Sequence, residues 1–271
     1  MELSEILSHL ERNEGYFPRA AVQEAVDCRI EIVPALLRIL EEVAKDPERF
    51  ASDGDRMIHI YAMFLLAQFR VTRAYPLLVQ IFSAPGELPF ELVGDVVTED
   101  LGMILASLSD GDMSGMASLV EDEQANEYVR AAALDGLVTL VACGKRGRDE
   151  VMAYIGRLFH KLERRPSMAW NGLVSACVDL CPEEVVKEIR RAYEDGLVNP
   201  DFIRWKNVER GLALGKEGAM KDLRSRYHLI TDVEEEMEWW ACFREEASST
   251  GRRKARFIAP PPSRETQEPI R

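Results

Sequence analysis

The apolar residues of this chain recur in one helical register at four places, and this constrains the fold more than any other feature. Ile58, Ala62, Leu65, Leu66 and Phe69 are matched by Val97, Leu101, Ile104, Leu105 and Leu108, then by Val129, Ala133, Gly136, Leu137 and Leu140, then by Ala169, Leu173, Ala176, Cys177 and Leu180. With the first member as position zero, each set occupies 0, +4, +7, +8 and +11, which at about 100° per residue falls in one arc of a helix. The four starts lie 39, 32 and 40 residues apart, and a weaker fifth copy begins near Arg204 with Val208, Gly211 and Leu212. A helix pair with such a face cannot bury it alone, so units of this kind must stack.

Spacings of three and four pervade the rest of the chain, whereas β-branched alternation bounded by hairpin turns is missing. The pattern predicts helices over 3–12, 19–28, 31–45, 55–70, 74–82, 89–108, 114–122, 127–143, 149–164, 168–180, 183–195, 201–214, 219–227 and 233–243. Turn residues punctuate them, as at Ser52-Asp53-Gly54-Asp55, Pro85-Gly86, Asp110-Gly111-Asp112 and Asn199-Pro200-Asp201. Many medium helices joined by short loops, with a period of 32 to 40 residues, predict an all-α fold: a HEAT-like α-solenoid, or α/α superhelix, of about five to six antiparallel helix pairs. The small residues Ala62, Ala133, Gly136 and Ala176 would let neighbouring helices approach closely. The repeat domain is expected over 1–246 and a disordered tail over 247–271, where Pro260-Pro261-Pro262 and Pro269 interrupt a polar stretch.

Charge and cysteine content narrow the function classes. Lys plus Arg number 34 against 47 Asp plus Glu, a net charge of −13. The tail carries six basic residues against Glu265 and Glu268, which leaves −17 on the body. Long-range attraction to nucleic acid or anionic lipid is therefore disfavoured. The five cysteines are odd in number and lie in helical, apolar contexts, which argues for reduced thiols and a cytoplasmic protein. Residues 1–16 lack a basic segment followed by an apolar run, so no secretory signal is read there. The most apolar helix, 57–69, is 13 residues and contains His59, short of the roughly 20 residues that a membrane span needs.

Several stretches are distinctive as words: His59-Ile60-Tyr61-Ala62-Met63-Phe64-Leu65-Leu66-Ala67-Gln68-Phe69, Arg73-Ala74-Tyr75-Pro76, Gly94-Asp95 with Thr98-Glu99-Asp100-Leu101-Gly102, Asn126-Glu127-Tyr128-Val129-Arg130, and Met237-Glu238-Trp239-Trp240. Over about 3–242 the chain resembles a bacterial family of HEAT-like helical proteins known as a domain of unknown function. The resemblance implies the helical-repeat fold and brings no activity. Some relatives continue into a short cysteine-rich zinc segment similar to the one ending the bacterial preprotein translocase ATPase. No such cysteines follow Cys242, and no zinc role is carried over.

In a HEAT-type stack the second helices line the concave surface. Positions −2, +1, +2 and +5 are read as facing that groove. They place Asp95 and Glu127 at −2, His59, Arg130, Trp170 and, in the fifth copy, Trp205 at +1, and Glu99 and Asn171 at +2. Trp and Arg are enriched among binding anchors. Positions +5 and +9 (Met63, Gly102, Leu134, Val174; Ala67, Ala106, Val138, Val178) are more apolar than a solvated face. Either a partner fills that strip, or the protein's own helices or tail do.

Asp95, Glu99 and Asp100 fall within two turns, with His59 in the neighbouring repeat. They can form a metal or acid/base cluster, or a salt-bridge network with Arg130. Cys177 and Cys181 with His160 suggest a zinc or redox site, but Cys177 is a core position and a buried thiol is the simpler reading. Trp239-Trp240 reads as a cap on the last hydrophobic face. P-loop, dinucleotide, HExxH and nucleophile-elbow motifs are absent from the sequence, and no cofactor is expected. Two functions are carried forward: a non-catalytic adaptor or scaffold that binds a protein or peptide in its groove, and an enzyme using the carboxylate/His cluster. Nucleic-acid processing is disfavoured by charge, and a small-molecule ligand stays open.

Overall fold

The computed structural model describes residues 1–243; the expected tail over 247–271 lies outside them. The chain is all-helical. Its helices are α1 (Leu3–Leu10), α2 (Arg19–Asp27), α3 (Arg29–Lys45), α4 (Pro47–Ala51), α5 (Ile58–Gln68), α6 (Tyr75–Phe82), α7 (Leu88–Val93) and α8 (Val96–Glu99). They continue as α9 (Leu101–Ser109), α10 (Ser114–Glu121), α11 (Glu127–Ala142), α12 (Arg148–Lys161), α13 (Met168–Asp179), α14 (Val186–Glu194), α15 (Trp205–Arg226) and α16 (Val233–Met237). Among the described residues the β contact is a single isolated bridge between Arg12 and Arg56.

Every residue at positions 0, +4, +7, +8 and +11 of the four repeats is buried. The helices that carry them pack in sequence order, α5 on α9, α9 on α11 and α11 on α13, with α3 packed on α5 at one end and α15 on α13 at the other. Close approach is built in by small residues. A β-carbon on Gly172 would stand 2.9 Å from that of Ala131, and one on Gly211 would stand 2.9 Å from the Val178 carbonyl oxygen. Helices α6, α10 and α12 pack against this row.

The expected helix over 89–108 is three helices. Gly94 takes φ 58 and ψ −136, a conformation that only glycine adopts without strain, and it ends α7. Asp100 leaves helical geometry between α8 and α9. Gly215 (φ 62, ψ 173) divides α15 near the break expected between 214 and 219. Helix α4 was not foreseen; it is capped by Asp46, whose carboxylate accepts the Arg49 N–H, with Pro47 in its first turn.

Candidate functional site

The residues expected on the groove are mostly not there. His59, Asp100, Arg130, Trp170 and Asn171 are buried. The error is geometric: position +1 lies only about 20° around the helix from the core position +8, and it sits in the first turn, where incoming loops cover it. His59 is closed in by α7, whose Leu92 carbonyl accepts its Nε2–H at 2.7 Å, and by Phe50 of α4 at 5.7 Å between rings. Burial holds its imidazole down to about 4, hence neutral. Trp170 is 1% exposed, donates from Nε1 to the Glu163 carbonyl at 2.8 Å, and meets Phe159 edge-on. Arg130 donates from Nε to the Val120 carbonyl at 3.0 Å. Asn171 accepts the Asn199 N–H at 2.8 Å. Trp205 is half-buried between Tyr193 and the guanidinium of Arg190.

Three acids do reach solvent: Asp95, Glu99 and Glu127. Glu127 accepts the Met168 N–H, which ties α11 to the start of α13. Neither Asp95 nor Glu99 forms an ion pair with Arg130 among the described residues, so the expected salt-bridge network is not made. Nor is the cluster with His59 assembled: among the described residues no three His, Cys, Asp or Glu side chains are grouped to hold a metal ion. Cys177 and Cys181 are buried free thiols.

What the structure builds instead is a strap. After α15 the chain runs extended from Tyr227 (φ −112, ψ 131) to Asp232 and crosses α13, α11, α9 and α5 in that order. Tyr227 Oη donates to Asp179 at 2.7 Å in the fourth repeat, beside the Arg226 pair with the same carboxylate at 2.6 Å. The Leu229 N–H meets the Cys143 thiol in the third. The Ile230 N–H donates to Ser107 Oγ at 2.9 Å in the second. The Val233 N–H donates to Gln68 Oε1 at 2.9 Å in the first. An extended chain advances about 3.3 Å per residue, so the three steps from Ile230 to Val233 cover about 10 Å, the spacing of packed helices.

Ile230, Val233 and Met237 are fully buried against the row. Trp240 packs edge-on to Phe64 at 5.6 Å, and Phe243 packs on Phe17 at the same distance. Glu234 and Glu238 pair with Arg19 of α2, and Gln23 donates to Glu234. The apolar strip at +5 and +9 is filled by neighbouring helices: Gly102 packs against Ala132 and Gly136, Leu134 against Gly172, and Val178 against Gly211. Three of the acceptors share one register: position +10 reads Gln68, Ser107, Thr139 and Asp179, each set between buried neighbours, and all but Thr139, whose hydroxyl donates to the Asp135 carbonyl, accept from the strap. That column was the signal in the sequence.

The strap contact also gathers acids. Asp100 lies near Glu99 and Glu236 and is pushed up to about 7, by burial first and by those charges second. Asp135 is likewise raised to about 7 by burial and Asp179, with Arg226 opposing. His228 and Glu236 pair at 2.8 Å. Elsewhere, a recess of about 370 Å³ lined by Tyr75, Pro76, Val79, Leu108 and Asp112 contains none of the expected site residues.

Fold and site together define an all-helical protein with one face crossed by its own residues 227–243. The chain belongs to the family described as "Protein of unknown function (DUF1186)", whose model matches residues 1–244. It is 40% identical over 242 residues to an uncharacterized protein of Chlamydia trachomatis serovar D, covering 89% of this chain and 96% of that one. It has the same identity over 242 residues to an uncharacterized protein of Chlamydia muridarum, covering 97% of the latter. No solved structure matches the chain. Among the described residues no helix is long and apolar enough to cross a membrane.

Proposed function

We propose that this chain is a HEAT-like α-solenoid of five to six helix pairs that acts as a non-catalytic protein-binding scaffold, its inner row of helices taking an extended segment of a partner. One observation carries the reading: side chains at a single register position of successive second helices accept hydrogen bonds from the main chain of an extended segment. Recognition of main chain by a repeated side-chain column gives affinity along a peptide with little dependence on its residues. The enzyme reading is the weaker one, because the His59 Nε2–H is committed to the Leu92 carbonyl and not to Asp95, Glu99 or Asp100. We place the protein in the cytoplasm, which its five free cysteines support.

The test is site-specific photocrosslinking in the source cell, with a benzophenone side chain at Asp135 on the inner row and at Arg157 on α12 as control. A partner protein crosslinked from position 135 and not from 157 supports the scaffold. Crosslinks confined to the chain's own 227–243 segment count against it.

A further inference from the structure

We propose, resting on the scaffold reading, that residues 227–243 are an internal mimic of the partner: the row takes an extended stretch that enters a short helix, with apolar residues three apart at the junction and carboxylates following, and such a segment displaces the strap. The strap spells out that pattern. Ile230 and Val233 supply the two buried apolar side chains, and both donate their N–H groups to the +10 column. The carboxylates of Glu234 and Glu238 follow and meet the cationic edge formed by Arg19. An incoming chain with the same order satisfies the same acceptors, because Ser107 Oγ and Gln68 Oε1 read main chain and not side-chain identity.

The strap's hold is concentrated at its two ends and at a few contacts to the row. Residues 227–232 belong to no helix, and their local main-chain hydrogen bonds are made at the ends, where the Tyr227 N–H donates to the Leu223 carbonyl and the Asp232 carbonyl accepts from Glu236. Thr231, Asp232 and Glu235 face solvent. Glu236 is held by His228 at 2.8 Å. A partner segment competes here with a tethered segment that enjoys a high effective concentration.

The experiment uses the full chain and a labelled synthetic peptide of residues 227–243 carrying Cys242→Ser, read by fluorescence anisotropy. In the full-chain variant Ile230→Asp, Val233→Asp the strap is opened. This variant is expected to keep its helical circular dichroism and to bind the peptide saturably at one to one, at least tenfold more tightly than the unmodified chain. Adding Gln68→Ala and Ser107→Ala is expected to weaken it again severalfold. A folded, opened variant that binds no peptide overturns both this proposal and the scaffold reading. Equal binding by opened and unmodified chains overturns the strap's role alone, and equal binding of a scrambled peptide overturns the pattern. Should the double variant not fold, hydrogen exchange on the unmodified chain decides. The amides of Ile230 and Val233 are expected to exchange at least tenfold faster than that of Leu137 in α11, and equal protection of all three overturns displacement.

Discussion

Gly102 of α9 and Gly136 of α11 face each other so closely that a β-carbon on Gly102 would stand 3.0 Å from the Gly136 amide nitrogen and 2.8 Å from the Ala132 carbonyl oxygen. Both obstacles are main chain, so neither can swing aside. Gly102→Ala is expected to separate the two helices and lower stability by about 1–3 kcal/mol, or roughly 2–4 °C in Tm for each kcal/mol in a chain of this size. Gly54→Ala, where a β-carbon meets nothing within 4 Å, serves as the control. Urea unfolding of the pair checks it, and equal midpoints would contradict the close packing.

Trp170 separates a groove anchor from a core residue. With its ring buried and its Nε1–H committed to the Glu163 carbonyl, Trp170→Ala is expected to lose about 3–5 kcal/mol of stability. Trp239→Ala, at a residue 53% exposed, should change it by less than about 0.5 kcal/mol. Thermal melts of the two variants suffice, and comparable melts would place Trp170 at the surface after all.

Arg148 clamps the link between α13 and α14. Its guanidinium donates to the Leu180 carbonyl at 2.6 Å, to the Cys181 carbonyl, and to both oxygens of Glu184 at 2.7 and 2.8 Å. Arg148→Ala orphans the Leu180 and Cys181 carbonyls and leaves Glu184 to its pair with Lys216, with an expected cost of about 2–3 kcal/mol. The Arg148 contact, followed by that of Lys216, holds the Glu184 carboxyl down to about 2. A lowered acid contributes stability above its unfolded pKa of about 4.3 and loses it as pH falls toward 2. Acid titration of stability should therefore be shallower in Glu184→Gln than in the parent between pH 4 and pH 2.

Asp100 predicts the opposite slope at higher pH. Its folded pKa, about 7, lies above the unfolded value of about 3.9, so the folded chain binds the extra proton across that window. The associated stability is full below pH 4 and is lost as pH rises through 7. His59, lowered to about 4, loses stability in the other direction over nearly the same range, and the parent profile is their sum. The difference between Asp100→Asn and the parent isolates the carboxyl: the variant's advantage should grow from pH 4 to pH 7 and then level off. Urea midpoints at pH 4.5, 6 and 8 read this out, and a flat difference would rule out a buried, ionisable Asp100.

The row of core positions was legible because helical periodicity is local. Twelve residues hold one full face, and the face is buried whatever lies beyond it. The +1 residues were misplaced because an arc drawn on one helix does not show the loops and the short helix α4 that close over its first turn. Five residues are too few for periodicity to reveal α4. The strap was hidden for another reason: Ile230 meets Ser107 across 123 residues and Val233 meets Gln68 across 165, and no local pattern reports a pairing at that distance. Only its receiving half was written where it could be read, as a polar residue recurring at +10 in four apolar helices.

The strap's course runs from α13 back to α5 and brings Phe243 onto Phe17. A linear array held by nearest-neighbour contacts frays from its ends, one unit at a time. Here one segment is bonded to α13, α9 and α5 at once, so none of these helices can peel away alone while it is seated. Release of that segment would do more than uncover a surface: it would let these helices melt independently.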